Sequence, residues 1–234
     1  MASDLISMTD HPLNNHLWNA LNGPLASQSR AVGRVRLLSP DIGNVAAMEV
    51  VSSDNTHDLA SAIPLGSEIL VIAPIPLEVS DELDVLSVKP VLQMVAERPT
   101  RLDAAVRTTR LGAADFPRML ALVDLARPGP LGPRAMELGD FRGIYDQGEL
   151  VALAGERLRL EGYTEVATVC THPDYRGRGY AKAVVSATMQ GIVEAGSVPF
   201  LGVDDANIPA IRLYEQLGFI YRSTFYLSLV RRSL

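Results

Sequence analysis

Cysteine is almost absent from this sequence. The 234 residues hold one, Cys170, so no internal disulfide can form. The four histidines, His11, His16, His57 and His172, show no ligand spacing, and no Cys/His metal site is expected. Long hydrophobic runs are missing too. The longest apolar stretch, residues 69–77, is interrupted by Pro74 and Pro76 and is far too short to span a bilayer. The opening Met-Ala-Ser-Asp-Leu-Ile lacks the charged-then-apolar pattern of a signal peptide. No membrane partner is expected, and a cytoplasmic protein is the economical reading. There is no excess of positive charge: the net charge is -6, which argues against a protein whose main task is to coat nucleic acid.

What is present is enough apolar material, 47% of the residues, for one large or two small domains. The first hundred residues read as mixed α and β. A short helix is expected over 16–27, with strands over 34–38 and 68–75. The second strand is a continuous β-branched run, as for a strand buried on both faces. Residues 84–96 suggest another strand followed by a turn or short helix. The polar segment 97–101, with Pro99 at its centre, is the expected boundary, giving an N-terminal α+β domain over 1–100 and a second domain over 106–234.

The second half is more legible. It reads as a strand over 106–111, a helix over 113–126 with Phe116, Met119, Leu120 and Val123 apolar, and a proline-rich loop over 127–133. Strands over 141–145 and 149–160 follow, joined by a turn at Asp146-Gln147-Gly148. A third strand covers 163–171. A helix over 177–195 carries Ala181, Val184, Val185, Met189 and Ile192 on one face. A short strand over 200–203, a helix over 208–217 and closing strands over 219–230 end the chain. Strands first antiparallel and then joined by a helical crossover imply an α/β (α+β) fold, with a mixed, mostly antiparallel sheet flanked by helices.

The most informative stretch runs Thr171-His172-Pro173-Asp174-Tyr175-Arg176-Gly177-Arg178-Gly179-Tyr180-Ala181, between a strand and an amphipathic helix. Backbone N–H groups without intrahelical partners collect at such a junction, at the positive end of the helix dipole. Gly177 and Gly179 let the backbone approach a ligand, and Arg176 and Arg178 add charge that suits phosphate oxygens. The result is an anion site that fits a diphosphate. The stretch lacks the Lys-Ser/Thr of a P-loop and the third glycine of a dinucleotide fingerprint.

Arg176-x-x-Gly179-x-Ala181 resembles the coenzyme A pyrophosphate loop of the GNAT acyltransferases, and Asn207-Ile208-Pro209-Ala210-Ile211-Arg212-Leu213-Tyr214-Glu215-Gln216-Leu217-Gly218-Phe219 resembles that family's second signature. The resemblance covers about 106–234. It implies that the strand ending at Val169, Cys170 and Thr171 splays from its neighbour and pairs through its backbone with the pantetheine of acetyl-CoA. Arg176 and the amides of Gly177, Arg178, Gly179, Tyr180 and Ala181 would take the pyrophosphate. Asn207 would contact the coenzyme near its thiol, and it is also a good N-cap for the helix that follows. Tyr214 is the implied general acid for the departing thiolate, although Ala210, Leu213 and Leu217 make an apolar helical face with it. Glu165 is the first candidate for the base and Glu156 the second. An amide near Val169 would stabilise the oxyanion. Cys170 itself should point into the core, since strand side chains alternate faces. His172 and Tyr175 shape the turn before the loop.

The function so implied is transfer of an acetyl group from acetyl-CoA to a primary amine of a small molecule, amino acid or peptide. Attack is direct within a ternary complex, with no metal. The alternative is a non-catalytic acyl-CoA-binding module that acts by regulation or interaction. The first hundred residues hold no second coenzyme loop, and they read equally as a degenerate GNAT copy or as an unrelated α+β cap. A homodimer stays open.

Overall fold

The computed structural model describes residues 11–78, 80–100 and 106–233. In chain order its elements are α1 (His16–Asn22), β1 (Ser29–Val32), β2 (Val35–Leu38), β3 (Val45–Met48), α2 (Ser53–Ala62), β4 (Glu68–Ala73), β5 (Leu83–Val95), β6 (Thr109–Leu111), α3 (Phe116–Ala126), β7 (Phe141–Asp146), β8 (Glu149–Leu160), β9 (Tyr163–Thr171), α4 (Tyr180–Glu194), β10 (Val198–Asp204), α5 (Ile208–Gln216) and β11 (Ile220–Arg232). No helix among the described residues is long and apolar enough to cross a membrane.

Two compact units interleave along the chain. One takes the described residues of Met1–Pro40, Asn44–Gln93 and Ser223–Leu234, the other those of Asp41–Gly43 and Met94–Arg222. The segment expected to divide the chain ends at Arg101, which lies outside the described residues. Residues 94–100 go with the second unit, and 223–233 go with the first because the end of β11 pairs with β4 there.

In the first unit β1, β2 and β3 form an antiparallel meander, α2 crosses over, and β4 lies parallel to β3. β11 closes the order, antiparallel to β4 from Tyr226↔Ala73 to Arg231↔Glu68. Val35, Met48, Leu59, Val71, Leu83 and Val230 are at most 1% exposed and make the core of this unit. Ser52 starts α2, its side chain accepting from the Asn55 amide.

The second unit repeats that order. β7, β8 and β9 are an antiparallel meander, α4 crosses over, and β10 returns parallel to β9; β6 pairs with β7. The turn between β7 and β8 needs left-handed backbone at two successive residues, and Gln147 and Gly148 supply it with φ of 50° and 86°. α3 lays Met119, Leu122 and Val123 on Phe141, Leu153 and Cys170 of the sheet. α4 buries Val184, Val185, Met189 and Ile192, the 3.6-residue spacing that the sequence displays.

β1, β3 and α2 were not foreseen, and 84–96 is one strand without the expected turn or helix. The closing residues are likewise the single strand β11. Leu120, expected on the buried face of α3, is 37% exposed, and Leu122 takes its place inside.

Phe141 lies opposite Gly155 on β8, and a Cβ at Gly155 would collide with the Phe141 ring. Gly155→Ala is therefore expected to overpack this unit and lower its stability by about 1–3 kcal/mol, read as a fall in urea midpoint. A smaller loss in Gly155→Ala/Phe141→Leu than the two single losses added together would confirm that contact as the cause.

Candidate active site

The second unit's sheet opens where a parallel pair would normally continue. Registered partners between β9 and β10 are Tyr163↔Val198, Thr164↔Pro199 and Glu165↔Phe200, and there they stop. β9 nevertheless runs on to Thr171 and β10 to Asp204. Beyond Glu165 one edge of β9 is thus left without a partner in this unit.

The other edge of β9 is irregular at the same height. Leu153↔Cys170 and Gly155↔Ala167 are paired, so β9 carries one residue more than β8 between them. Thr168 absorbs this bulge with φ of 54°, a conformation costly for a β-branched residue. Cys170 shares the core with Leu153 under α3 and is 6% exposed, while Val169 and Thr171 are half-buried. Burial pushes the Cys170 thiol up to about 12, only partly opposed by a hydrogen bond with the Leu153 backbone. The Thr171 hydroxyl is buried and has no hydrogen-bond partner among the described residues.

Downstream, His172-Pro173 turns the chain, the His172 ring accepting from the Asp174 amide and meeting Tyr175 edge to face at 5.4 Å. Gly177 and Gly179 have φ of 76° and 78°, which only glycine adopts without cost. Among the described residues, chain neighbours apart, neither has any atom within 4 Å of a Cβ placed on it, so the space over the loop is open. No side chain caps α4, and the Ala183 amide gives to the Gly179 carbonyl. The amides of Tyr180, Ala181 and Lys182 therefore have no intrahelical acceptor. The sequence treats the two arginines alike, but the structure separates them. Arg176 is exposed beside the loop. Arg178 folds back over the Tyr175 ring at 4.6 Å, donates to the Asp174 carbonyl and sits 3.8 Å from Asp146.

Asn207 caps α5, its Oδ1 accepting from the Ala210 amide at 3.3 Å. Tyr214 is the buried residue of α5, 8% exposed, its ring edge-on to Phe219 at 5.9 Å. Burial pushes its phenol up to about 12.

The two carboxylates singled out as bases are both engaged. Glu165 is 1% exposed, and both of its oxygens accept from the Arg157 guanidinium, at 2.8 and 2.6 Å. Glu156 pairs with Arg159 at 2.8 Å. Sequence reasoning missed Arg157 altogether. Among the described residues no group of three or more His, Cys, Asp or Glu side chains is placed to hold a metal ion.

The equivalent junction of the first unit, between β3 and α2, is built the opposite way. It has no glycine, the Ser52 side chain accepts from the Asn55 amide, and Asp54 and Glu49, the latter paired with Arg34, lie beside it.

A solved structure of a protein from Novosphingobium aromaticivorans assigned to the GNAT family is 37% identical to this chain, covering 96% of it and 100% of its own length, with a TM-score of 0.89. The chain belongs to the GNAT family. A GCN5-related N-acetyltransferase from Kribbella flavida (17% identity, 92% and 95% covered, TM-score 0.62) and another from Sphaerobacter thermophilus (14%, 88% and 84%, TM-score 0.53) share the fold. The family model FR47-like protein matches residues 142–227. No curated protein matches the chain. The splayed β9 and β10 and the open turn before α4 thus sit on a GNAT acetyltransferase fold, the architecture that the two sequence motifs implied.

The raised thiol sets a pH dependence. Cys170 is held neutral in the fold, whereas in the unfolded chain it ionises near pH 8.5. Stability is therefore full below that pH and is lost as pH rises toward 12, at up to about 1.4 kcal/mol per pH unit. Between pH 9 and 10 the wild type should lose about 1 kcal/mol more than Cys170→Ala. Equal losses in the two proteins between those pH values, read from urea unfolding, would show that the thiol ionises as easily folded as unfolded.

Proposed function

We propose that this protein transfers an acetyl group from acetyl-CoA to a primary amine of a small molecule, amino acid or peptide, by direct attack within a ternary complex. The observation that carries the reading is the unpartnered edge of β9 leading straight into a helix start whose amides are uncapped. An extended amide-bearing arm can add to the first as a strand would, and a pyrophosphate fits the second. In this reading Val169, Cys170 and Thr171 offer backbone groups to the pantetheine. Gly177 to Ala181 and Arg176 hold the pyrophosphate, and Asn207 keeps its cap while its amide nitrogen faces the coenzyme. Arg178, bound elsewhere, contributes field rather than contact. The Val169 amide, turned by the bulge, serves the oxyanion.

Tyr214 keeps its proton throughout the neutral range and gives it to the departing thiolate. A phenol near 12 gives a proton unwillingly to a solvated thiolate of pKa about 8.5. The transfer works only where the thiolate is desolvated as well, so the groove must exclude water during reaction. Glu165, with both oxygens on Arg157, is assigned to hold β9 in place rather than to take a proton. The acceptor then reacts as its free base or loses its proton to water.

Tyr214→Phe should lower kcat by about 10²–10⁴-fold while leaving acetyl-CoA affinity unchanged. Thiol release from acetyl-CoA in the presence of an amine panel is the assay. A chain that binds acetyl-CoA but releases no thiol with any amine would be a binding module instead. For the wild type, kcat/KM should climb about tenfold per pH unit below an acceptor pKa near 10 and show no alkaline fall from Tyr214 below pH 11. A plateau near neutrality would return the base role to a carboxylate, with Glu165 first in line. Calorimetric titration should saturate at one coenzyme per chain, because the junction before α2 offers no second site; two equivalents would overturn that.

A further inference from the structure

The guanidinium of Arg157 has two flat edges able to grip a carboxylate, and the protein occupies one of them. Nε and Nη2 both donate to Glu165, at 2.8 and 2.6 Å, which takes up the side-on edge. The end-on edge, formed by Nη1 and the second hydrogen of Nη2, meets no acceptor among the described residues. The two partners also differ in access: 45% of the arginine side chain is exposed and 1% of the carboxylate. Burial is nonetheless the largest influence on the arginine's charge, outweighed only by Glu165 beside it, whose attraction and hydrogen bonds keep the pKa raised. A cation deep among protein atoms yet open to solvent on one side lines a cleft rather than a convex surface.

Stability does not account for this pair. Buried ion pairs can often be replaced by apolar residues of similar volume without loss, and a lysine would neutralise Glu165 through a single point contact. What arginine adds is the second edge, held rigid by the first. Position points the same way. The β8–β9 ladder is bulged here, Arg157 and Leu158 both standing against Glu165. Glu165 is also the last residue of β9 paired with β10, so the free edge is anchored at the closed end of the gap. Val169, whose amide is assigned to the oxyanion, lies four residues further along the strand, about 13 Å at full extension. An amino acid or a short peptide spans that distance.

We propose that Arg157 determines acceptor specificity, and that the acceptor is an amine bearing a carboxylate, the acid gripped end-on by Arg157 while the amine attacks the thioester. The inference rests on the acetyl-transfer reading above and narrows its acceptors to amino acids and peptides with a free acid. The chemistry is unchanged. The free amine nitrogen bonds to the acetyl carbon and the C–S bond breaks. The thiolate takes its proton from Tyr214, and the nitrogen's surplus proton restores the phenol through water. Glu165 acts here as a positioning residue, fixing the guanidinium in place.

The test measures thiol release from acetyl-CoA with α-amino acids, ω-amino acids and dipeptides, each beside its own carboxamide. Wild type is compared with Arg157→Lys and with Arg157→Gln/Glu165→Gln, after melting curves confirm that each is folded. Neither variant strands a buried charge: lysine keeps the ion pair without the second edge, and the double change removes both charges. Wild type should prefer an acid to its carboxamide by about 10–100-fold in kcat/KM, the range for hydrogen bonds to a charged group, with the difference mainly in KM. In both variants that ratio should fall to within about threefold of unity. A purely structural role would lower turnover of acid and carboxamide alike and leave the ratio where it was, which overturns the proposal. A wild type that takes acid and carboxamide equally well overturns it without any variant. Release with simple alkylamines but not with the acids sinks this inference alone. No release with any amine sinks the acetyl-transfer reading first, and this inference with it.

Discussion

Backbone N–H and C=O groups inside a protein are almost always paired, because leaving them bare is expensive. The interrupted ladder between β9 and β10 is therefore the constraint from which the rest of the site follows. Three registered pairs hold the strands together at Tyr163, Thr164 and Glu165, and six further residues of β9 go on without that neighbour. The pair Arg157–Glu165 stands at the last closed rung, so the carboxylate buried at the fork is tied to β8 rather than left to draw water into it. Beyond it the bulge at Thr168 turns the strand, and the backbone groups on that edge are not matched by a second strand of this unit.

The two halves of the chain show how little of this belongs to the fold itself. β1–β2–β3–α2–β4 and β7–β8–β9–α4–β10 share element order and pairing sense. Each brings a helix N-terminus to the end of a third strand. At one, Ser52 caps the helix and Glu49 and Asp54 surround it. At the other, two glycines with left-handed backbone leave the amides open with Arg176 nearby. Architecture places a helix N-terminus in both, and a handful of junction residues decides whether its amides are capped or left open.

That division also explains what could be read from the sequence. β8 and β9 were legible to the residue, and so was most of the buried face of α4, where Ala181 is only half-buried and Thr188 was missed, because long periodic segments flanked by glycine turns leave little choice. The loop 171–181 was legible because its chemistry is local. β1 and β3 were not, being four residues each, with alanine at the buried positions of β3 and no alternation to count. β5 reads in the sequence as a strand followed by a turn or short helix, yet it runs unbroken through a largely exposed middle that holds Lys89 and Pro90. The Arg157–Glu165 clamp depends on hairpin register across eight residues, and the bulge at Thr168 has no residue signature at all: threonine is among the least suited to that φ. Tertiary pairing set both.

Burial drives Cys170 and Tyr214 to the same value, about 12, and yet the two cannot be ranked as catalysts by that value. At pH 7 a thiol near 12 is ionised in about one molecule in 10⁵, whereas an amine of pKa about 10 is free base in about one in 10³. An amine acceptor, as proposed, would thus be about a hundredfold more available as nucleophile than the resident thiol, before geometry is considered. Geometry then adds to the difference, since Cys170 faces Leu153 and α3 rather than the groove. A group that must lose its proton to act is disabled by burial, and one that must keep it until the leaving group needs it is prepared by the same burial. In the proposed direct-attack route the tyrosine has the work that this burial suits, and the cysteine has none.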